Sequence, residues 1–182
     1  MSLVDRAPRV VQSDALDERA RGAIRALLDA AFDGDFSDDD WAHALGGTHA
    51  LIVDGDAVLA HASVVPRILD AGGLTLRAGY VEAAAVLPAL QRTGLGTAVL
   101  RALVPAIERG YDVGALSSGE WHFYERLGWE RWRGPTWVRH TDGRRERTPD
   151  DDDSVMILRT LRTPALDLSA PLTCEARPGD AW

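Results

Sequence analysis

The spacing of apolar residues changes period several times along the chain. Residues 9–13 are short and β-branched, which predicts a first strand. Over 17–32, Ile24, Leu27, Leu28 and Ala31 recur at helical spacing. Ser37, with Asp40 three residues on, resembles a capping box and predicts a second helix to Leu45, ended by Gly46 and Gly47. Residues 49–53 and 57–65 then flank Asp54-Gly55-Asp56, a strong hairpin signal. A second hairpin turns at Ala71-Gly72-Gly73 and leads into 74–87, long for one strand. A glycine-bearing loop, 91–96, precedes a helix over 97–109 with Val99, Leu100, Leu103 and Ile107 on one face. A strand at 113–117, a short helix at 121–127 and strands at 137–140 and 155–161 follow, and the polar stretch 144–153 predicts a surface loop. The order β-α-α-β-β-β-α-β-α-β-β predicts an α/β (α+β) fold in a single domain, 1–182. Its sheet is mixed, mostly antiparallel and flanked by helices on both faces.

Composition narrows the function. Hydrophobic residues are 46% of the chain, enough for a sizeable core. The net charge of −8 argues against nucleic acid, whose binding rests on phosphate neutralisation. It suits a polycationic small molecule, which an acidic cleft concentrates. Cys174 stands alone, which excludes an intramolecular disulfide, and the five histidines show no ligand spacing, so no metal is expected. Asp5 and Arg6 interrupt any apolar leader, and no window approaches a membrane span. The expectation is a cytoplasmic protein with no membrane partner.

The stretch VLPALQRTGLGTAVL carries the clearest chemistry. Gly94 and Gly96 sit between an apolar strand and a helix start, where backbone N–H groups and the helix dipole make an anion site. Arg92 adds charge and the Thr93 hydroxyl is a candidate donor. The residues fit neither a P-loop, which needs a lysine, nor the GxGxxG fingerprint. On the glycines alone, a helix cap is the plainer reading.

The pattern Gln91-x-x-Gly94-x-Gly96 after a long strand resembles the acyl-coenzyme A loop of the GCN5-related N-acetyltransferase (GNAT) superfamily. FYERLGW, from Phe123 to Trp129, resembles that superfamily's Phe-Tyr-x-x-x-Gly-Phe/Trp helix. The segments FDGDFSDDDW, GGTHALIV, GYVEAAAV, GALSS, RTPDDDDSV and GDAW resemble the aminoglycoside 2'-N-acetyltransferase family over residues 32–182. The resemblance implies a GNAT fold, acetyl-CoA as cosubstrate, a homodimer, and transfer of an acetyl group to the 2'-amine of an aminoglycoside. It assigns Ala84, Ala85 and Val86 to backbone contacts with the pantetheine arm, and Gln91, Arg92, Thr93, Gly94, Leu95 and Gly96 to the pyrophosphate. Asp35, Glu82, Ala83, Ser117, Asp151, Asp180 and the carboxylate of Trp182 line the substrate site, with Asp40 as an additional acid. Tyr124 lies close to the coenzyme sulfur. Two departures stand out: the segment from Ser118 to Tyr124 is short for the family, and Ala83 replaces a glycine.

The chemistry asks for such residues. An ammonium must lose a proton before its nitrogen attacks a thioester, and Glu82 is the best-placed base, directly or through one water. The amide of Ala84 suits a developing oxyanion, and Tyr124 can return a proton to the leaving thiolate. Each residue has a plainer reading. Glu82 pairs as a strand residue, Tyr124 packs beside Phe123, and Ser117 ends a strand. Asp35 and Asp40 cap a helix, and Asp180 and Trp182 fray. Of four consecutive aspartates at 150–153, at most one or two can face a cleft. Another cationic amine as substrate, or a non-catalytic acyl-CoA-binding module, remains open at this level.

Overall fold

The computed structural model describes residues 7–182. Asp5 and Arg6, on which the leader expectation rests, lie outside them. The chain forms two compact units: residues up to Val65 with Val81–Ala106, and Pro66–Tyr80 with Ile107–Trp182.

In the first unit β1 (Arg9–Gln12) pairs antiparallel with β2 (Thr48–Asp54), and β2 with the start of β3 (Ala57–Ala71). The last residues of β4 (Leu74–Val86) belong here too, and β4 neighbours β3. α1 (Glu18–Ala31) starts where the Asp17 side chain accepts the Ala20 N–H at 2.8 Å. It buries Ile24, Leu27 and Leu28, three of the residues whose spacing predicted it, against Phe36, Leu51, Val58 and Ala85. Each such side chain contributes about 1.5–3 kcal/mol by leaving water. α2 (Asp38–His43) has the predicted capping box at Ser37 and Asp40 but stops short of Leu45. α3 (Leu95–Gly110), which belongs here as far as Ala106, begins two residues earlier than expected; Val99, Leu100, Leu103 and Ile107, the predicted face, are all buried.

In the second unit the first part of β4 pairs parallel with β5 (Val113–Ser117). β5 pairs antiparallel with β9 (Val155–Arg159), and β9 with β6 (Glu130–Arg131). The end of β3 pairs with β10 (Leu172–Glu175), which runs parallel to β7 (Thr136–Arg139), itself antiparallel to β8 (Arg145–Arg147). The short helix α4 (Trp121–Glu125) precedes β6. The sheet is thus mixed and mostly antiparallel, as the element order predicted.

Three strands were not anticipated. β8 lies inside 144–153, read above as a loop. Its sequence, Arg-Glu-Arg, carries no apolar alternation because it is a charged edge strand. β6 is only two residues long, and β10 directly follows Pro171. The last predicted strand ends at Arg159, and Leu161 is fully exposed beyond it. Among the described residues no helix is long and apolar enough to cross a membrane.

Candidate active site

In the first unit the site residues cluster at the end of β4. Glu82, Ala83 and Ala84 are half-buried in succession, without the alternation of a strand that has one face covered. The break is at Ala83, whose φ is +50°. A left-handed backbone costs an L-residue about 1–2 kcal/mol. Glycine would relieve it, which gives the departure noted at Ala83 a physical meaning.

Two hydrogen bonds hold this turn. The Glu82 carbonyl accepts from Ser63 Oγ at 3.3 Å, and the Ala83 carbonyl lies 2.8 Å from His61 Nδ1. A carbonyl can only accept, so His61 carries its proton on Nδ1. His61 Nε2 is then an acceptor for His49 Nδ1 at 2.9 Å, and His49 Nε2 accepts from Ser13 Oγ at 2.7 Å. Ser13 Oγ in turn accepts the N–H groups of Gly46 and Gly47 at 2.8 and 3.0 Å. Both imidazoles are fully buried. Burial pushes His49 down to about 4 and His61 down to about 3, so both rings stay neutral near pH 7. The histidines looked scattered in sequence, but the Asp54-Gly55 hairpin sets Leu51 opposite His61 and His49 opposite Ser63, on one face.

The predicted anion loop follows. Gln91 caps a 3-10 turn, Pro88–Leu90, and Arg92 and Gly94 both have left-handed backbones, at φ +60° and +94°. A Cβ on Gly94 would meet nothing within 4 Å, so conformation rather than space calls for glycine there. Gln91, Arg92, Thr93 and Gly94 are exposed and Leu95 is buried. The first bond of α3 runs from Ala98 N to Gly94 O at 3.0 Å, and the amides ahead of Ala98 have no helical acceptor. The Thr93 hydroxyl donates to the Leu90 carbonyl at 2.6 Å and braces the loop.

Of the early aspartates, Asp35 is exposed in the turn after α1. Asp40 Oδ2 accepts from Ser37 N and Ser37 Oγ at 2.9 and 2.8 Å, so this oxygen serves the cap.

In the second unit the four consecutive aspartates separate by role. Asp152 accepts from Thr136 N and Arg147 and fixes the loop, and these donors hold its carboxyl below the ordinary carboxylate range. Asp153, with φ +65°, faces Arg131 at 3.6 Å. Asp150 is exposed. Asp151 is half-buried, and its carboxyl is raised above the usual range, first by burial and then by Asp180. Ser117, at the end of β5, lies 2.9 Å from Ser154 Oγ, which donates to the Asp151 carbonyl at 2.7 Å. Its hydroxyl thus fastens to the loop carrying Asp151.

The last residues are anchored, not frayed. Trp182 is buried; its N–H donates to Asp180 Oδ1 at 3.0 Å and its indole Nε1 to Thr148 Oγ1 at 3.1 Å. Arg177 Nε and Cys174 Sγ bind the carbonyls of Asp180 and Ala181. Asp151, Asp180 and Trp182 therefore share one neighbourhood.

Tyr124 lies on α4 in the second unit. Of the Phe123–Tyr124 pair it is the more deeply buried, edge-on to Trp129 with centroids 6.1 Å apart. Burial pushes its phenol up to about 12, against a bond to Ser118 that lowers it.

A family model described as an acetyltransferase (GNAT) domain matches residues 13–132. The chain is 43% identical, over 96% of its length and 91% of the relative's, to an aminoglycoside 2'-N-acetyltransferase of Mycolicibacterium fortuitum. Among solved structures it resembles a GNAT-family acetyltransferase of Brucella melitensis crystallised with acetyl-CoA. The TM-score is 0.60 at 17% identity, over 92% of this chain and 95% of that one. It also matches a GCN5-related N-acetyltransferase of Kribbella flavida, with TM-score 0.58 and 21% identity over 74% of this chain, and spans 36% of that longer chain.

Proposed function

This chain belongs to the GNAT acetyltransferases, in the family of the aminoglycoside 2'-N-acetyltransferase that it matches, and from that premise we propose that it acetylates the 2'-amine of aminoglycosides. The observation that carries the reading is the 43% identity along nearly the whole chain. The acidic set supports it, because Asp151 is kept half-buried beside Asp180 with its charge disfavoured. A polycation relieves that repulsion through charge-assisted hydrogen bonds.

In this reading acetyl-CoA lays its pyrophosphate on Arg92, Gly94 and the amides at the start of α3, and its pantetheine arm along Ala84 to Val86. Glu82 takes a proton from the substrate ammonium, directly or through one water. The amine nitrogen attacks the thioester carbon and the C–S bond breaks. The Ala84 amide meets the oxyanion. The thiolate accepts the proton of Tyr124, whose raised pKa keeps that proton in place near pH 7.

Thiol release from acetyl-CoA tests the substrate. Aminoglycosides with a 2'-amine should release coenzyme A, and analogues with a 2'-hydroxyl should not. Equal rates with both, or none with any aminoglycoside, would sink the reading.

A further inference from the structure

We propose that His61 is a positioning residue for the reaction: with His49 and Ser13 it holds the left-handed turn at Ala83 that sets Glu82 and the Ala84 amide in place. The inference rests on the reading of Glu82 as base.

Three observations on the first unit combine. The turn falls on an alanine at φ +50°, a conformation that must be held from outside. The Ala83 carbonyl meets a buried imidazole N–H at 2.8 Å. That imidazole is itself fixed in one tautomer by a chain leading back to two backbone amides, those of Gly46 and Gly47. Ser13 Oγ lies 3.1 Å from the Gly47 carbonyl and 2.7 Å from His49 Nε2; with its one proton on the shorter contact, the chain of donors runs from amide to hydroxyl to His49 to His61, toward Ala83. Since it ends on a carbonyl, which takes no proton, it is not a path for moving the substrate's proton. Its output is geometry. The polar residues at 13, 49 and 61 are buried where apolar residues would pack with less desolvation cost.

Where glycine occupies the turn, no such chain is needed. The dependence on His61 should therefore vanish when position 83 is relaxed. His61→Phe keeps the volume and removes the donor. It should lower kcat roughly ten- to a hundredfold, since small misplacements of reacting groups cost that much. His61→Asn, which can still donate to the carbonyl, should keep most of the turnover. In the Ala83→Gly background, His61→Phe should cost less than about threefold. Equal losses in both backgrounds, or an Asn variant as poor as the Phe variant, would overturn the proposal.

If His61→Phe does not fold alone, the Asn variant and the Ala83→Gly background carry the comparison. Urea unfolding gives a readout independent of activity. Ala83→Gly should raise the midpoint more when His61 has been replaced than when it is present, and equal shifts would count against the proposal. Glu82→Gln separates the two readings. Full turnover in that variant removes Glu82 as base, whereas the unfolding comparison still reports whether His61 holds the turn.

Discussion

At the scale of single residues, Asp151 is where structure and chemistry pull apart. Its folded pKa lies above the ordinary carboxylate value, through burial first and Asp180 second. Ionising it therefore opposes folding, and the loss of stability appears as the pH rises past its usual pKa. Asp151→Asn keeps an acceptor but removes the charge. It should raise the melting temperature near pH 7, with the gain fading toward acid pH where Asp151 protonates in both states. The same change should raise the aminoglycoside KM about tenfold, the loss of one charge-assisted bond. Calorimetry over a pH series with steady-state kinetics checks both; a KM that does not move removes Asp151 from the substrate site. Sequence limited how many of the four aspartates could face a cleft, and the family resemblance pointed to Asp151. The structural work of its neighbour Asp152 was invisible, because Thr136 reaches it from sixteen residues away and the nearby Arg147 meets it only once the loop between them has folded back.

At the scale of elements, the hairpin of β2 and β3 carries both the fold and the histidine chain. Gly47 was legible as a helix stop. Its second role was not: a Cβ there would sit 1.9 Å from the Val64 carbonyl oxygen. Its N–H also donates to Ser13 Oγ, the anchor of the chain. Gly47→Ala should cost about 1–3 kcal/mol, the range for forcing extra volume into packed structure, and lower turnover beyond what the loss of folded protein explains. Urea unfolding and kcat measured on the folded fraction test it; a variant as stable as wild type would show that the strands part freely. Where apolar periodicity was strong, at 24–28 and 99–107, the elements were readable because one face is buried. His49 and His61 were not readable as a pair. Their contact depends on hairpin register, and a bulge between Ile52 and Val53 shifts that register in a way the Asp-Gly signal does not specify. The turn at Ala83 was equally hidden, since alanine is not a residue that announces a positive φ.

At the scale of the whole molecule, the charge of −8 is of use only where it is concentrated, and part of it is gathered around the last residues. Trp182 is a large apolar anchor whose indole ties Asp180 to the stretch that carries Thr148 and Asp151. Removing residues 180–182 should therefore have two separable effects. Loss of a buried tryptophan lowers stability, by about 3–5 kcal/mol if the gap does not close. Loss of Asp180 weakens polycation binding, so the aminoglycoside KM should rise strongly while the acetyl-CoA KM stays nearly unchanged. Trp182→Phe separates the two, because it keeps most of the burial and the carboxylates but removes the indole N–H. Its stability should stay closer to wild type and its aminoglycoside KM should rise only modestly. Salt gives a further check: screening weakens the attraction between an acidic site and a polycation. The untruncated chain should then show a steeper rise of aminoglycoside KM with ionic strength than the truncated one. If truncation leaves both the KM and its salt dependence unchanged, the terminal residues are packing alone, and the acidic site is built without them.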